Sequence, residues 1–139
     1  MAKTIVWIED DTDIIDPVVR PLERAGHRFI RLRSAREALE ALEEIRRADL
    51  ILLDIIFPPA QVPHGFDPVN GFDQYTGLHL LQELRDVHGV TTPVVVLTVV
   101  VRPELDKELQ ALDVADTIHK PVRPSELKRR VEAVWEATP

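Results

Sequence analysis

Cysteine is absent from the 139 residues, which excludes disulfides, thiolate metal sites and a cysteine nucleophile. Positive charge is in short supply: 17 basic residues face 24 acidic ones, for a formal charge of -7. That balance argues against a sequence-independent grip on nucleic acid, which depends on lysine and arginine neutralising phosphates. The opening "MAKTIVWIEDD" turns acidic before an apolar run can serve as a signal peptide or a membrane span. Internal repeats, linkers and low-complexity segments are missing too. These absences lead us to expect a cytoplasmic protein without a membrane or nucleic-acid partner.

What is present is enough apolar material, 45% of the chain, for one compact domain covering residues 1–139. Three runs, "TIVWI" (4–8), "LILLDII" (50–56) and "PVVVLTVV" (93–100), are continuously apolar, as expected of parallel strands covered on both faces. Weaker strands fit "RFIRL" (28–32) and "DTIHK" (116–120). Helical patterns separate them. In "SAREALEALEEIRRA", Ser34 and Glu37 form a capping box, and Leu39, Leu42 and Ile45 share a face. "TGLHLLQELRDVHG" carries Leu78, Leu81 and Leu84 as its stripe, and "PSELKRRVEAVWEA" carries Leu127, Val131, Val134 and Trp135. Pro17 and Pro21 fall in the first helical span, 12–25, so that helix is expected to start late or kink. The βα alternation predicts an α/β, doubly wound parallel sheet.

In such sheets the functional crevice lies beyond the carboxyl ends of the strands. The polar residues there are Glu9, Asp10 and Asp11 after strand one, Asp54 at strand three, Thr98 in strand four and Lys120 at the end of strand five. Clustered carboxylates stay ionised together when a hard divalent ion sits among them, and Mg2+ suits one or two carboxylates with waters. Lys120 adds a second positive charge and Thr98 a hydroxyl donor. A phosphoryl group carried on the Asp54 carboxylate fits such a pocket. Each feature alone has an ordinary explanation: an acidic pair is often a helix cap, and a threonine among valines is usually structural. Their coincidence at the ends of four parallel strands favours the site.

The segments "IVWIEDDTDI", "ADLILLDII", "PVVVLTV" and "TIHKPV" resemble the four signature segments of response-regulator receiver domains of the CheY-like superfamily. The resemblance implies a flavodoxin-like five-stranded sheet of order 2-1-3-4-5 with helices on both faces. It also implies phosphorylation by a histidine kinase or phosphotransfer protein with Mg2+, and a conformational signal to a downstream partner. Asp54 is then similar to the phospho-acceptor, Glu9 and Asp10 to the acidic metal pair, Thr98 to the switch hydroxyl and Lys120 to the phosphate-contacting lysine. The backbone carbonyl of Ile56 would join Asp54 among the metal ligands, while Asp11 and Asp13 would start a helix. Chemistry in this reading is limited to the domain's own phosphorylation and dephosphorylation.

The sequence departs from the family pattern in three places. An insertion, 57–76, delays the Thr76-Gly77 opening of the next helix, and a partner contact or a lid is expected of it. His64, Asp67, Asn70 and Asp73 within it suit turns better than a second metal site. Thr117 stands where receivers often carry an aromatic residue, with His119 nearby, and Val99 follows Thr98 where a small residue is common. Ile56 and Val100 would flank the path of a hydrolytic water, which predicts a slowly decaying phospho-form. Two rival readings are a receiver-like module that binds partners without phosphorylation and a haloacid dehalogenase-type phosphatase using "DTD" at 11–13. The second leaves Asp54 without a role and lacks that family's closing aspartate pair and cap domain.

Overall fold

The computed structural model describes residues 2–9, 12–55, 76–99 and 102–137. Five strands, β1 (Thr4–Ile8), β2 (Arg28–Leu32), β3 (Leu50–Leu53), β4 (Val94–Thr98) and β5 (Asp116–His119), pair in parallel in the order β2-β1-β3-β4-β5. The helices are α1 (Thr12–Arg24), α2 (Ala35–Glu40), α3 (Leu42–Arg47), α4 (Thr76–Asp86), α5 (Pro103–Ala111) and α6 (Pro124–Ala137). This is the expected flavodoxin-like topology. The central strands β1, β3 and β4 are the continuous apolar runs, and the more polar β2 and β5 take the edges. The insertion lies outside the described residues, apart from Thr76.

The sheet separates two apolar cores, because side chains alternate between its faces. Val6, Ile8, Ile51, Leu53, Val94 and Val96 pack with residues of α2–α5. Ile5, Trp7, Leu50, Leu52, Val95 and Leu97 pack with Val19 and Leu22 of α1 and with Leu127 and Val131 of α6.

Two helices differ from the sequence pattern. The single helix expected from Ser34 onward breaks at Ala41, whose φ of -115° and ψ of 32° leave the helical range. The break brings Ala35, Ala38 and Ile45 to the core and leaves Leu39 and Leu42 half-buried. Ser34 Oγ accepts from the Glu37 amide at 3.0 Å, as a cap should, but the Glu37 carboxylate accepts from the amide of Arg33 rather than from Ser34. α1, by contrast, starts at Thr12 and runs through both prolines. Pro21 removes the donor that would reach the Pro17 carbonyl, and Pro17 is exposed, so water can take that carbonyl.

Arg85, in the last turn of α4, fastens the end of the sheet opposite the carboxylates. Its guanidinium donates to the carbonyls of Val90 and Thr92, both at 2.8 Å, and to those of Leu112 at 2.9 Å and Asp113 at 3.3 Å. The Thr92 hydroxyl continues the tie to the Ile45 carbonyl at 2.8 Å. Burial lowers the Arg85 pKa, although Asp113 opposes the shift.

Candidate functional site

Parallel pairing aligns the carboxyl ends of the strands, with Ile8 opposite both Leu32 and Leu53 and Thr98 opposite His119. Each polar residue that follows extends the ladder by one bond. The amide of Glu9 donates to the Leu32 carbonyl at 3.0 Å, that of Asp54 to Ile8 at 3.0 Å, and that of Lys120 to Thr98 at 2.8 Å. These three side chains therefore leave rigid mounts at one end of the sheet.

They meet there. Lys120 Nζ donates to Glu9 Oε2 at 2.9 Å and stands 3.5 Å from Asp54 Oδ2. Glu9, Asp54 and Thr98 are all buried, with Thr98 fully so. Burial raises the Glu9 carboxyl to about 8. The Asp54 charge and a hydrogen bond with Asp54 push the same way, and Lys120 pulls against them. Burial also works against the charge on Lys120, but Asp54 and Glu9 outweigh it and raise its pKa.

Two carboxylates share one ammonium in a buried place, and burial first, then the Asp54 charge, raises the proton affinity of Glu9. The donors are hard oxygens at a strand end, which fits a Mg2+ ion. Asp10 and Ile56, the other expected ligands, lie outside the described residues, as do Asp11, Val100 and the candidate loop ligands His64, Asp67, Asn70 and Asp73. Among the described residues, no group of three or more acidic or imidazole side chains gathers as a metal site.

Gly77 is a site residue whose role the sequence pattern did not disclose. Its amide donates to the Ile55 carbonyl at 2.7 Å. A methyl group built on it would overlap the Asp54 carbonyl oxygen and come within 2.7 Å of Ile55 Cα. The start of α4 therefore packs against the Asp54–Ile55 backbone at close distance. The sequence signal was a glycine at the second position of a helix, where its low helix propensity needs a reason.

Thr117 is half-buried opposite Val96, and the exposed His119 lies beside Thr98. A groove of about 350 Å³ between α5 and β5 is lined by Asp106, Gln110, Thr117 and His119. Val99, exposed at 61%, lines a separate apolar cleft next to Lys120. No helix among the described residues is long and apolar enough to cross a membrane.

Residues 5–132 match the model of the response regulator receiver domain family. The chain is 30% identical to the phosphate regulon transcriptional regulatory protein PhoB of Pseudomonas aeruginosa, over 99% of its own length and 54% of that protein. It is 32% identical to the regulatory protein VanR of Enterococcus faecium, over 96% of its length and 50% of VanR. The chain thus spans about half the length of these curated relatives. The solved receiver domain of the Francisella response regulator 1452 superposes with a TM-score of 0.74 at 23% identity, over 99% of both chains, a likeness of fold. On the strength of the family match across 5–132, a range that contains the residues of this site, the chain belongs to the response regulator receiver domain family of two-component systems.

Proposed function

We propose that the chain accepts a phosphoryl group on Asp54 from a histidine kinase or phosphotransfer protein, in the cytoplasm and with Mg2+. It then signals to a downstream partner through the surface of α5, β5 and α6. The observation that supports this most is the Lys120 ammonium held between Glu9 and Asp54, on rigid strand ends, with Thr98 buried at the same end of the sheet.

Each residue has a definite task in the transfer. An Asp54 carboxylate oxygen attacks phosphorus, and the bond from phosphorus to the donor breaks, leaving its electron pair on the donor. Lys120 offsets the charge of the phosphoryl oxygens, and the Thr98 hydroxyl supplies a donor to one of them. Both interactions gain strength from exclusion of water. Glu9 and Asp54 would hold the Mg2+, with Asp10 and the Ile56 carbonyl carried over from the family pattern. When bound, the ion supplies positive charge against the transferred group. Gly77 keeps the acceptor loop clear of side-chain bulk. The only substrate acted on is the domain itself.

Intact-mass measurement after incubation with acetyl phosphate and Mg2+ tests the proposal. The parent should gain one phosphoryl group and Asp54→Ala none. Undiminished incorporation in Asp54→Ala would move the acceptor elsewhere.

A further inference from the structure

The apolar cleft beside Lys120 has no part in the chemistry described so far. It measures about 530 Å³ and is walled by Pro17 and Val18 of α1, Val99 after β4, and Pro121 and Val122 after β5. Among the described residues that line it, Lys120 is the one that carries a charge. A volume of several hundred Å³ with apolar walls and a single polar group is the usual make-up of a small-ligand site. Prolines in the wall lose no side-chain freedom when a ligand docks.

Lys120 also joins this cleft to the acceptor, since its ammonium is 3.5 Å from Asp54 Oδ2. A phosphoryl anion held against that ammonium therefore has an apolar wall beside it for the part of the donor that departs. We infer that the cleft takes the aliphatic tail of a low-molecular-weight acyl phosphate, so that longer-chain acyl phosphates phosphorylate Asp54 faster than short ones. The inference rests on Asp54 being the acceptor and adds the class of its small-molecule donor. An Asp54 oxygen forms the new bond to phosphorus as the anhydride P–O bond breaks. The electron pair stays on the released carboxylate, and nothing is oxidised or reduced. An apolar side chain of a protein donor offers the wall similar chemistry, and a donor series free of protein separates the two sources.

The series is acetyl, butyryl and hexanoyl phosphate, whose parent acids have nearly the same acidity, so the bond being broken stays constant. Each methylene fully withdrawn from water is worth about a factor of four. Time courses by intact mass, on the full chain in Mg2+, should show hexanoyl phosphate at least about tenfold faster than acetyl phosphate at limiting donor. Val122→Ser and the isosteric Val18→Thr should flatten the series while keeping the acetyl phosphate rate. Hexanoate, unlike acetate, should inhibit phosphorylation by hexanoyl phosphate in the unmodified chain, a readout independent of either variant's folding. A flat series in the parent, a rising one untouched by both variants, or no inhibition by hexanoate overturns the cleft assignment alone. No incorporation from any donor overturns the cleft and the acceptor together.

Discussion

Gly77 stands against Asp54 so closely that the space for a side chain on one is taken by the backbone carbonyl of the other. Helix α4 and the end of β3 are in effect mortised together, and glycine is the residue type that permits it. Gly77→Ala must move the start of α4 or the loop after β3. We expect it to lower unfolding free energy by about 2–3 kcal/mol in a denaturant titration, the range of an overpacked core. Phosphorylation should slow with it, and an unchanged melt would mean that α4 can back away freely.

The proton on Glu9 links stability to pH in metal-free protein. Burial holds the Glu9 carboxyl up at about 8, above the ordinary carboxyl value of 4.5. Between those two values the native state holds a proton that the unfolded chain has lost, so stability falls as pH rises through that window. Below it both states are protonated, and above it both are ionised. In a chelating buffer, Glu9→Gln should therefore melt above the parent by a margin that widens from pH 5 to pH 8 and then levels. A margin independent of pH would count against the buried, raised carboxyl.

Arg85 uses its planar fork on four carbonyls, a geometry that lysine lacks. Arg85→Lys leaves several partly buried carbonyls short of a donor and should cost roughly 2 kcal/mol in chemical denaturation. Because Asp54 lies at the other end of the sheet, phosphorylation by acetyl phosphate should be nearly unchanged below the melting range. A variant that is fully stable but phosphorylated slowly would reverse that division.

Replacing residues 58–75 with a short glycine-containing turn should preserve a cooperative melt. The segment is rich in Pro, Gly, Asn and Asp, and loop-closure entropy changes slowly with length. Loss of folding in the shortened chain would show that the segment packs as core.

Decay of the phospho-form should be slow in the parent and faster in Ile56→Asn. A polar side chain at that place can orient the attacking water, a contribution of roughly a hundredfold in favourable cases. Following loss of phosphate by mass in Mg2+ compares the two directly. Equal decay would remove Ile56 from any role as an apolar gate.

Much of this molecule could be read from its order of residues. Three continuous apolar runs became the three interior strands, and the polar residues following them converged at one end of the sheet. Apolar continuity and strand-end position are local signals, so a linear pattern carries them well. What escaped depended on contacts between distant segments. The break at Ala41 accompanies burial of Ala38 and Ile45 in one core, and no proline or glycine announces it. Arg85 looks like an ordinary surface arginine until the turns around Val90 and Leu112 fold over it. Proline inside a helix generally signals a break, yet α1 runs through Pro21 because the carbonyl left without a donor, that of Pro17, belongs to a residue that faces water.

The fastening by Arg85 also bears on where this fold can change length. Adding or removing residues between α4 and β4, or between α5 and β5, would shift carbonyls that one side chain holds in register. Lengthening there must forfeit that register. At the acidic end, each strand delivers its side chain from its own ladder bond, and the loop that follows is not part of that delivery. In chain order the insertion falls between β3 and α4, outside the two connections that Arg85 holds. A connection of this fold that follows β1, β3 or β5 can therefore change length without loosening the ladder bonds that mount Glu9, Asp54 and Lys120.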